Sequence, residues 1–67
     1  MNEPLLVDIK ELSALLRRSQ SALFRDDRAG RMPAPVRIGS AKRWRLDEIR
    51  GWVEAGMPSR AVWERRE

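Results

Sequence analysis

Arginine carries most of the positive charge of this chain, whose 67 residues include 14 Lys and Arg, 12 of them Arg. A guanidinium is planar, stays charged, and presents a fork of N–H donors that suits phosphate oxygens and guanine edges. Nine of the 14 lie between positions 17 and 45, opposed there only by Asp26 and Asp27. This segment has a net charge of +7, whereas the rest, with five basic and eight acidic residues, has −3. Such focused positive charge indicates a polyanionic partner.

The absence of both Cys and His limits the chemistry of the chain. It removes disulfides, thiolate sites, the usual zinc ligands, the commonest general base and any Ser-His or Cys-His nucleophile. Catalysis by carboxylates or Lys stays chemically open, but the ten acidic residues are mostly interpreted as helix caps and surface charges. The sequence therefore predicts no enzyme, no metal, no cofactor and no small-molecule ligand.

The length of the chain predicts a single domain, near the lower limit at which one core stabilises a fold. We expect the domain to span residues 1–67, with a core over about 5–56 and a C-terminal helical segment over 59–67. No apolar run is long enough for a membrane span, and the start M-N-E-P-L-L-V-D lacks a signal-peptide pattern. A cytoplasmic protein without a membrane partner is predicted.

Two short helices joined by a tight turn are predicted in the N-terminal half. Asp8 and Glu11 form a D-x-x-E capping pattern that opens a first helix over about residues 9–17. Its core stripe consists of Ile9, Leu12, Leu15 and Leu16. Ser19 is the cap of a second helix, which Gly30 ends, so that the turn has about three residues. This arrangement is a helix-turn-helix unit.

The second helix has a polar side that is suited to reading DNA. At about 100° per residue, one side carries Gln20, Ser21, Phe24, Arg25 and Arg28. Phe24 has two interpretations, and we favour packing at the edge of the core over stacking on a sugar or thymine methyl.

Two acidic residues of the same helix need partners. Asp26 falls where an apolar residue belongs, so we expect an Arg or a Trp indole beside it, because an isolated buried carboxylate is costly. Asp27 is expected to pair with Arg31 or with an Arg of the hairpin that follows.

A β-hairpin is predicted after Pro33 and Pro35, with strands at Val36–Ile38 and Arg43–Leu46 and a four-residue connection, 39–42. The alternation places Val36, Ile38, Trp44 and Leu46 inward and Arg37, Arg43 and Arg45 outward. The tip of this hairpin would be the wing of a winged helix.

A third helix is predicted from Asp47, its cap, to the end signal formed by Gly56 and Pro58. Its core positions are Ile49, Trp52 and Val53, and Ser59 is a cap for one further turn or two carrying Val62 and Trp63. In so small a domain Trp44, Trp52 and Trp63 are interpreted as core residues rather than base-stacking platforms. The fold class is therefore mainly α with a small β-hairpin: a winged helix-turn-helix of order α-α-β-β-α plus a short C-terminal helix.

The chain resembles a known group over residues 5 to 63, namely the small excisionase-like and AlpA-like winged helix-turn-helix regulators, relatives of the MerR-type DNA-binding domain. The resemblance rests on L-L-V-D-I-K-E-L-S-A-L-L, on S-x-S-x-L-F-R-x-D-x-A-G-R-M-P-A-P-V-R-I-G, on R-W-R, and on D-E-I-R-G-W-V-E-A-G-M-P-S-R-A-V-W-E. Two departures are Asp26, where members often have an apolar residue, and Ala22, where they often have Thr.

The resemblance implies that the second helix is a recognition helix and the hairpin a wing. Ser19, Gln20, Ser21 and Arg25 then occupy places that contact bases and nearby phosphates, and Lys42 and Arg43 belong to the wing. Together with the charge pattern, this gives the following candidate DNA-contacting residues: Arg17, Arg18, Ser19, Gln20, Ser21, Phe24, Arg25, Arg28, Arg37, Ser40, Lys42 and Arg43.

Double-stranded DNA is the expected partner, which would associate the protein with the nucleoid. The resemblance allows a transcriptional regulator of a prophage or mobile element, and equally a recombination directionality factor that bends attachment-site DNA and meets an integrase. Useful affinity would come from copies on tandem or inverted sites. A rival hypothesis is a protein-interaction module that binds through Trp63 and the apolar C-terminal segment.

Overall fold

The computed structural model describes residues 3–65 and contains four helices and three short strands in this range. Their order is β1 (Leu6–Val7), α1 (Ile9–Leu16), α2 (Gln20–Ala29), β2 (Val36–Ile38), β3 (Ala41–Arg45), α3 (Leu46–Glu54) and α4 (Arg60–Glu64). The predicted segment 59–67 is thus helical over 60–64, and its last two residues lie outside the described residues. None of the described helices is long and apolar enough to cross a membrane.

Local capping bonds set the limits of α1 and α2, as predicted. Asp8 Oδ1 accepts from the Glu11 amide at 2.8 Å, while Glu11 Oε1 accepts from the Asp8 amide at 2.9 Å. Helix α1 ends before Arg17, which has a left-handed backbone with φ of 55°. Ser19 caps α2, and Gly30, with φ of 74°, ends it. The connection between the two helices is therefore the expected three residues.

The three strands form one antiparallel sheet in the order β1-β3-β2. Strand β1 pairs with the end of β3, with Leu6 opposite Arg45 and Val7 opposite Trp44. The sequence pattern did not predict β1, because two residues are too short for an alternation to be visible. Strand β1 adds the N-terminal segment to the hairpin as the third strand of the sheet.

The hairpin differs from its prediction in turn length and in register. Its turn contains two residues, Gly39 and Ser40, so that Ile38 lies opposite Ala41 and Val36 opposite Arg43. Residues directly opposite each other share a face of the sheet, and a shift of one residue moves a side chain to the other face. The predicted common inward face of Val36, Ile38 and Trp44 is therefore wrong, and Ile38 is 62% exposed. Arg37, expected on the face opposite Trp44, instead shares its face.

The core is formed by residues of β1, β3 and the four described helices, together with Met32 in the loop after α2. Its buried members are Val7, Leu12, Leu23, Met32, Trp44, Leu46, Ile49, Trp52 and Trp63. Each Trp also donates its indole N–H: Trp44 to the Pro33 carbonyl at 3.0 Å, Trp52 to the Pro58 carbonyl at 2.8 Å, and Trp63 to Glu48 at 2.9 Å. The prediction that the three Trp residues belong to the core is confirmed. The prediction that Leu15 and Val53 belong to it is wrong, because both side chains are exposed.

The C-terminal helices follow the predicted order with one change at the start of α3. Helix α3 begins at Leu46, and its N-cap position is Arg45, two residues before the predicted cap Asp47; Arg45 makes no side-chain capping bond. Asp47 lies in the first turn instead of capping, because the helix continues directly from β3. The prediction for α4 is confirmed, since the Ser59 hydroxyl accepts from the Val62 amide at 3.4 Å.

Candidate nucleic-acid interface

Helix α2 divides cleanly into an exposed and a buried side. The exposed side carries Gln20, Ser21, Phe24, Arg25 and Arg28, as the helical spacing predicted. The buried side carries Ala22, Leu23, Asp26 and Asp27. We call the five exposed residues the outer face of α2.

Phe24 is the one apolar member of the outer face. Phe24 is 45% exposed and does not belong to the buried core cluster. Phe24 is also not among the partly buried apolar residues that pack against this cluster, so the favoured packing at the core edge is not confirmed. An accessible ring can contact a ligand.

The first turn of α2 offers hydrogen-bond donors to solvent. Ser19 satisfies two later amides, because its hydroxyl oxygen accepts from Ala22 at 3.1 Å and its carbonyl from Leu23 at 3.0 Å. The amides of Gln20 and Ser21 precede the first intrahelical bond, as in every α-helix. A helix start of this kind favours an anion such as phosphate.

Asp26 is held by two arginines on the buried side of α2. Arg18 donates to it twice, from Nε at 2.7 Å and from Nη2 at 3.1 Å, and Arg31 Nε donates at 3.0 Å. The Arg18 hydrogen bonds, together with Arg31 and the two charges, lower the pKa of Asp26 despite its burial, and the same bonds raise the pKa of Arg18. The predicted Arg partner of Asp26 is confirmed.

Asp27 connects α2 to the hairpin and to α4. Its carboxylate accepts from Lys42 Nζ at 2.6 Å and from Arg60 Nη2 at 2.8 Å. Burial alone would raise the pKa of Asp27, but the bonds and charges of Lys42 and Arg60 outweigh it and lower the pKa. Arg31, one of the two expected partners, bonds Asp26 instead. The hairpin does supply a partner, but it is Lys42 rather than an Arg.

Arg60 is a residue of this cluster that sequence reasoning missed. Its guanidinium also donates to the carbonyls of Met32 at 2.9 Å and Asp27 at 3.1 Å, and its amide donates to the Gly30 carbonyl at 2.9 Å. Arg60 is 33 residues from Asp27, so no local spacing could have indicated this contact. The residue fixes the start of α4 to the end of α2.

The cations of the basic segment fall into two groups. Arg18 and Lys42, both predicted to contact DNA, are occupied by the buried carboxylates. Within residues 3–65, the cations that form no ion pair are Lys10, Arg17, Arg25, Arg28, Arg37, Arg43 and Arg65. Five of these seven belong to the predicted site, and we call them the unpaired arginines: Arg17, Arg25, Arg28, Arg37 and Arg43.

The Lys42–Asp27 bond places the hairpin beside one edge of the outer face. At 100° per residue, Asp27 borders Gln20 and Phe24 around the axis of α2. Ser40 is exposed in the turn of the hairpin, and Arg37 and Arg43 lie on opposite faces of its strands. Arg43 also donates to the Lys42 carbonyl at 2.8 Å. The structure thus brings the predicted residues of helix and hairpin into neighbouring elements.

Comparisons of the chain with protein-family models, with curated proteins and with solved structures gave no match. In the part of the chain that the structure describes, no group of three or more acidic side chains could hold a metal ion. The surface around α2 is therefore interpreted from its geometry and charge.

Proposed function

We propose that this chain binds double-stranded DNA with a preference for sequence, as a small winged helix-turn-helix protein. The observation that carries the proposal is the outer face of α2, which combines an amide side chain, two unpaired arginines and an open helix start. A helix about 15 Å long with such a face suits the major groove of B-DNA.

The outer face would read bases from the first half of α2. Gln20 is suited to the edge of adenine and Arg25 to the edge of guanine, since each can form two hydrogen bonds there. The amides of Gln20 and Ser21, with the Ser19 hydroxyl proton, would meet a phosphate at the helix start. Phe24 would contact a sugar or a thymine methyl, and Arg28 would reach the next phosphate or base.

The β2–β3 hairpin would act as the wing that follows the neighbouring DNA backbone. Arg37, Arg43 and the Ser40 hydroxyl are the groups available for phosphates in this element. Contacts to phosphates position a protein on DNA, whereas contacts to base edges specify the sequence. Lys42 takes a different part in the proposal, because its bond to Asp27 holds the hairpin next to α2.

The biological role we propose is that of a small transcriptional regulator of a phage or mobile element, on the strength of the excisionase-like and AlpA-like resemblance. One such domain offers few base contacts, so useful affinity would come from two or more copies on spaced sites.

The experiment that tests DNA binding is selection of bound duplexes from a random pool, followed by a salt titration on the best site. An enriched motif is expected. If the four unpaired arginines other than Arg25 meet phosphates, log K should fall with log salt at a slope of about −3 to −4. Absence of binding at low salt would refute the proposal, and binding without enrichment would refute its sequence preference.

Lys10→Ala is the matched control for these arginines. Lys10 is an exposed cation on α1, outside the proposed interface, and forms no ion pair within the described part of the chain. Its replacement removes the same charge as Arg28→Ala, so net charge alone would weaken binding equally in both variants. We expect Arg28→Ala to weaken binding and Lys10→Ala to leave affinity within about twofold, a difference below 0.5 kcal/mol.

A further inference from the structure

A second surface, formed by α1 and α3, has no part in the proposed DNA interface. The two helices enclose an open groove of about 760 Å³, to which no residue of α2 contributes. Its floor includes Val7, Leu46 and Ile49 of the core. At its edges Leu15 is 56% exposed and Val53 is 41% exposed. Apolar side chains that remain accessible around a concave surface are typical of a binding site for another apolar surface.

The charges around this groove have the opposite sign to those around α2. Three glutamates line it, Glu3, Glu11 and Glu54, with Arg50 as the one basic residue. Arg50 is bound to Glu3, so that pair is neutral. Glu11 accepts from the Asp8 amide, and neither Glu11 nor Glu54 forms an ion pair among residues 3–65. The rim therefore carries two net negative charges beside an apolar floor.

The dimensions of the groove suit a short helix. The two helices that form it have eight and nine residues, which corresponds to a length of about 12 to 14 Å. An amphipathic helix of two turns has the same length and presents apolar side chains at positions i, i+3 or i+4, and i+7.

A second copy of the chain fits this groove less well than a basic partner does. In a two-fold contact the same patch faces itself, so Glu11 and Glu54 would approach the same glutamates of the other copy. Like charges brought together oppose association. The acidic rim favours a partner with Lys or Arg beside its apolar residues.

We propose that the groove between α1 and α3 binds an amphipathic helix of another protein, with apolar residues on one side and Lys or Arg at its flanks. The apolar residues enter between Leu15 and Val53, and the basic residues meet Glu11 and Glu54. DNA binding and helix binding then use separate surfaces of the domain, so the two can occur together.

The test uses three synthetic 14-residue peptides and backbone amide NMR shifts of the full chain. The first peptide is an amphipathic helix of Leu and Lys, the second has Glu in place of Lys, and the third has the first composition in scrambled order. The first peptide should shift amides of α1 and α3 and bind at least about tenfold more tightly than the other two. Equal binding of the Glu peptide, or shifts centred on α2, would overturn the proposal.

Two substitutions at exposed positions keep the test independent of folding. Leu15→Ser should weaken the Leu-Lys peptide by about tenfold, because it removes an apolar contact at the groove edge. Glu54→Lys should weaken it several-fold, while Glu64→Lys, the same change on α4 away from the groove, should leave affinity within about twofold. Unchanged binding in both groove variants would refute the site. Sedimentation that shows a dimer disrupted by Leu15→Ser would identify a second copy as the occupant instead.

Discussion

The two sides of α2 use the same kinds of charged residue for different purposes. On the buried side, Asp26 and Asp27 bind cations from the preceding turn, the hairpin and α4. On the outer face, Arg25 and Arg28 have no carboxylate partner among the residues that the structure describes. The net charge of a segment therefore overestimates the number of cations available to a ligand, because some of these cations form ion pairs that stabilise the fold.

The same distinction separates Arg37 and Arg43 from their neighbour Lys42 in the hairpin. Lys42 bridges to α2 through Asp27, whereas the two arginines form no ion pair with any residue of the described range 3–65. A cation that is bound to a buried carboxylate loses that bond if it turns to a phosphate, and the exchange costs stability. If the proposed function holds, positions without such a partner contact DNA without breaking an ion pair of the fold.

Trp52→Ala should have the largest effect, because it removes a large side chain from the core cluster to which Leu23 of α2 also belongs. Trp52 is buried and its indole bonds the Pro58 carbonyl. The free energy of unfolding should fall by about 3–5 kcal/mol, most of what so small a domain provides. Thermal and urea denaturation followed by circular dichroism measure this, and an unchanged melting temperature would show that the assigned core is wrong.

Asp27→Asn should destabilise the fold next most strongly. The change keeps the shape of the side chain but leaves Lys42 and Arg60 without an anion, which should cost about 1.5–3 kcal/mol. Asp47→Asn is the matched control, since that carboxylate is 95% exposed and should change stability by less than about 0.5 kcal/mol. Equal denaturation midpoints for the two variants would contradict the structural part assigned to Asp27.

Acid should weaken the ion pairs of Asp26 and Asp27 on the buried side of α2. The folded-state pKa values of Asp26 and Asp27 are lowered, so the unfolded chain takes up their protons first as pH falls. Their contribution is fully present well above the ordinary Asp pKa of about 3.9 and is lost as pH falls through the lower folded values. Urea midpoints should therefore decline below about pH 5. The decline should be smaller in Asp26→Asn and Asp27→Asn than in the unchanged chain.

Arg25→Ala tests the outer face, where we expect loss of DNA binding without loss of stability. Affinity for the selected site should fall by about 1–3 kcal/mol, with relaxed preference at one base pair. Repeating the duplex selection with the variant reveals the relaxed position. Equal loss on every duplex would mean that Arg25 contacts phosphate and reads no base.

Arg18→Ala tests whether a paired arginine contributes to DNA binding, because Arg18 lies in the same basic segment as Arg25 but bonds Asp26. It should lower the free energy of unfolding by less than Asp27→Asn does, since Arg31 remains as a partner of Asp26. At a temperature where the variant is fully folded, its DNA affinity should fall less than that of Arg25→Ala. The reverse order in fluorescence anisotropy titrations would place Arg18 in the interface.

Arg43→Ala should produce the smallest change. A phosphate contact in the hairpin carries no base information, so binding to all duplexes should weaken alike and the salt slope should flatten by about one unit. Salt titrations of the variant and of Lys10→Ala, side by side, separate this contact from a general effect of charge. A slope equal to that of the unchanged chain would remove the hairpin from the interface.

Local features of the fold were predictable because local hydrogen bonds create them. Asp8, Ser19 and Ser59 each cap a helix through a bond to a backbone amide three residues ahead. Gly30 ends α2 in the left-handed conformation that glycine adopts without strain. The start of α3 escaped prediction because the backbone passes straight from β3 into the helix, which gives no signal within a few residues.

The sequence by itself determined the helical units, the core tryptophans, the outer face of α2 and the focus of positive charge, because spacing of three to four residues and composition decide these. Tertiary structure decided the hairpin register, the pairing of Lys42 and Arg60 with Asp27, and the groove between α1 and α3. The register depends on which residues of the two strands pair, and the other two features depend on groups 15 to 33 residues apart or on separate helices. Only the packed chain brings such groups together, so only it determines which cations are bound to carboxylates and which remain available for a partner.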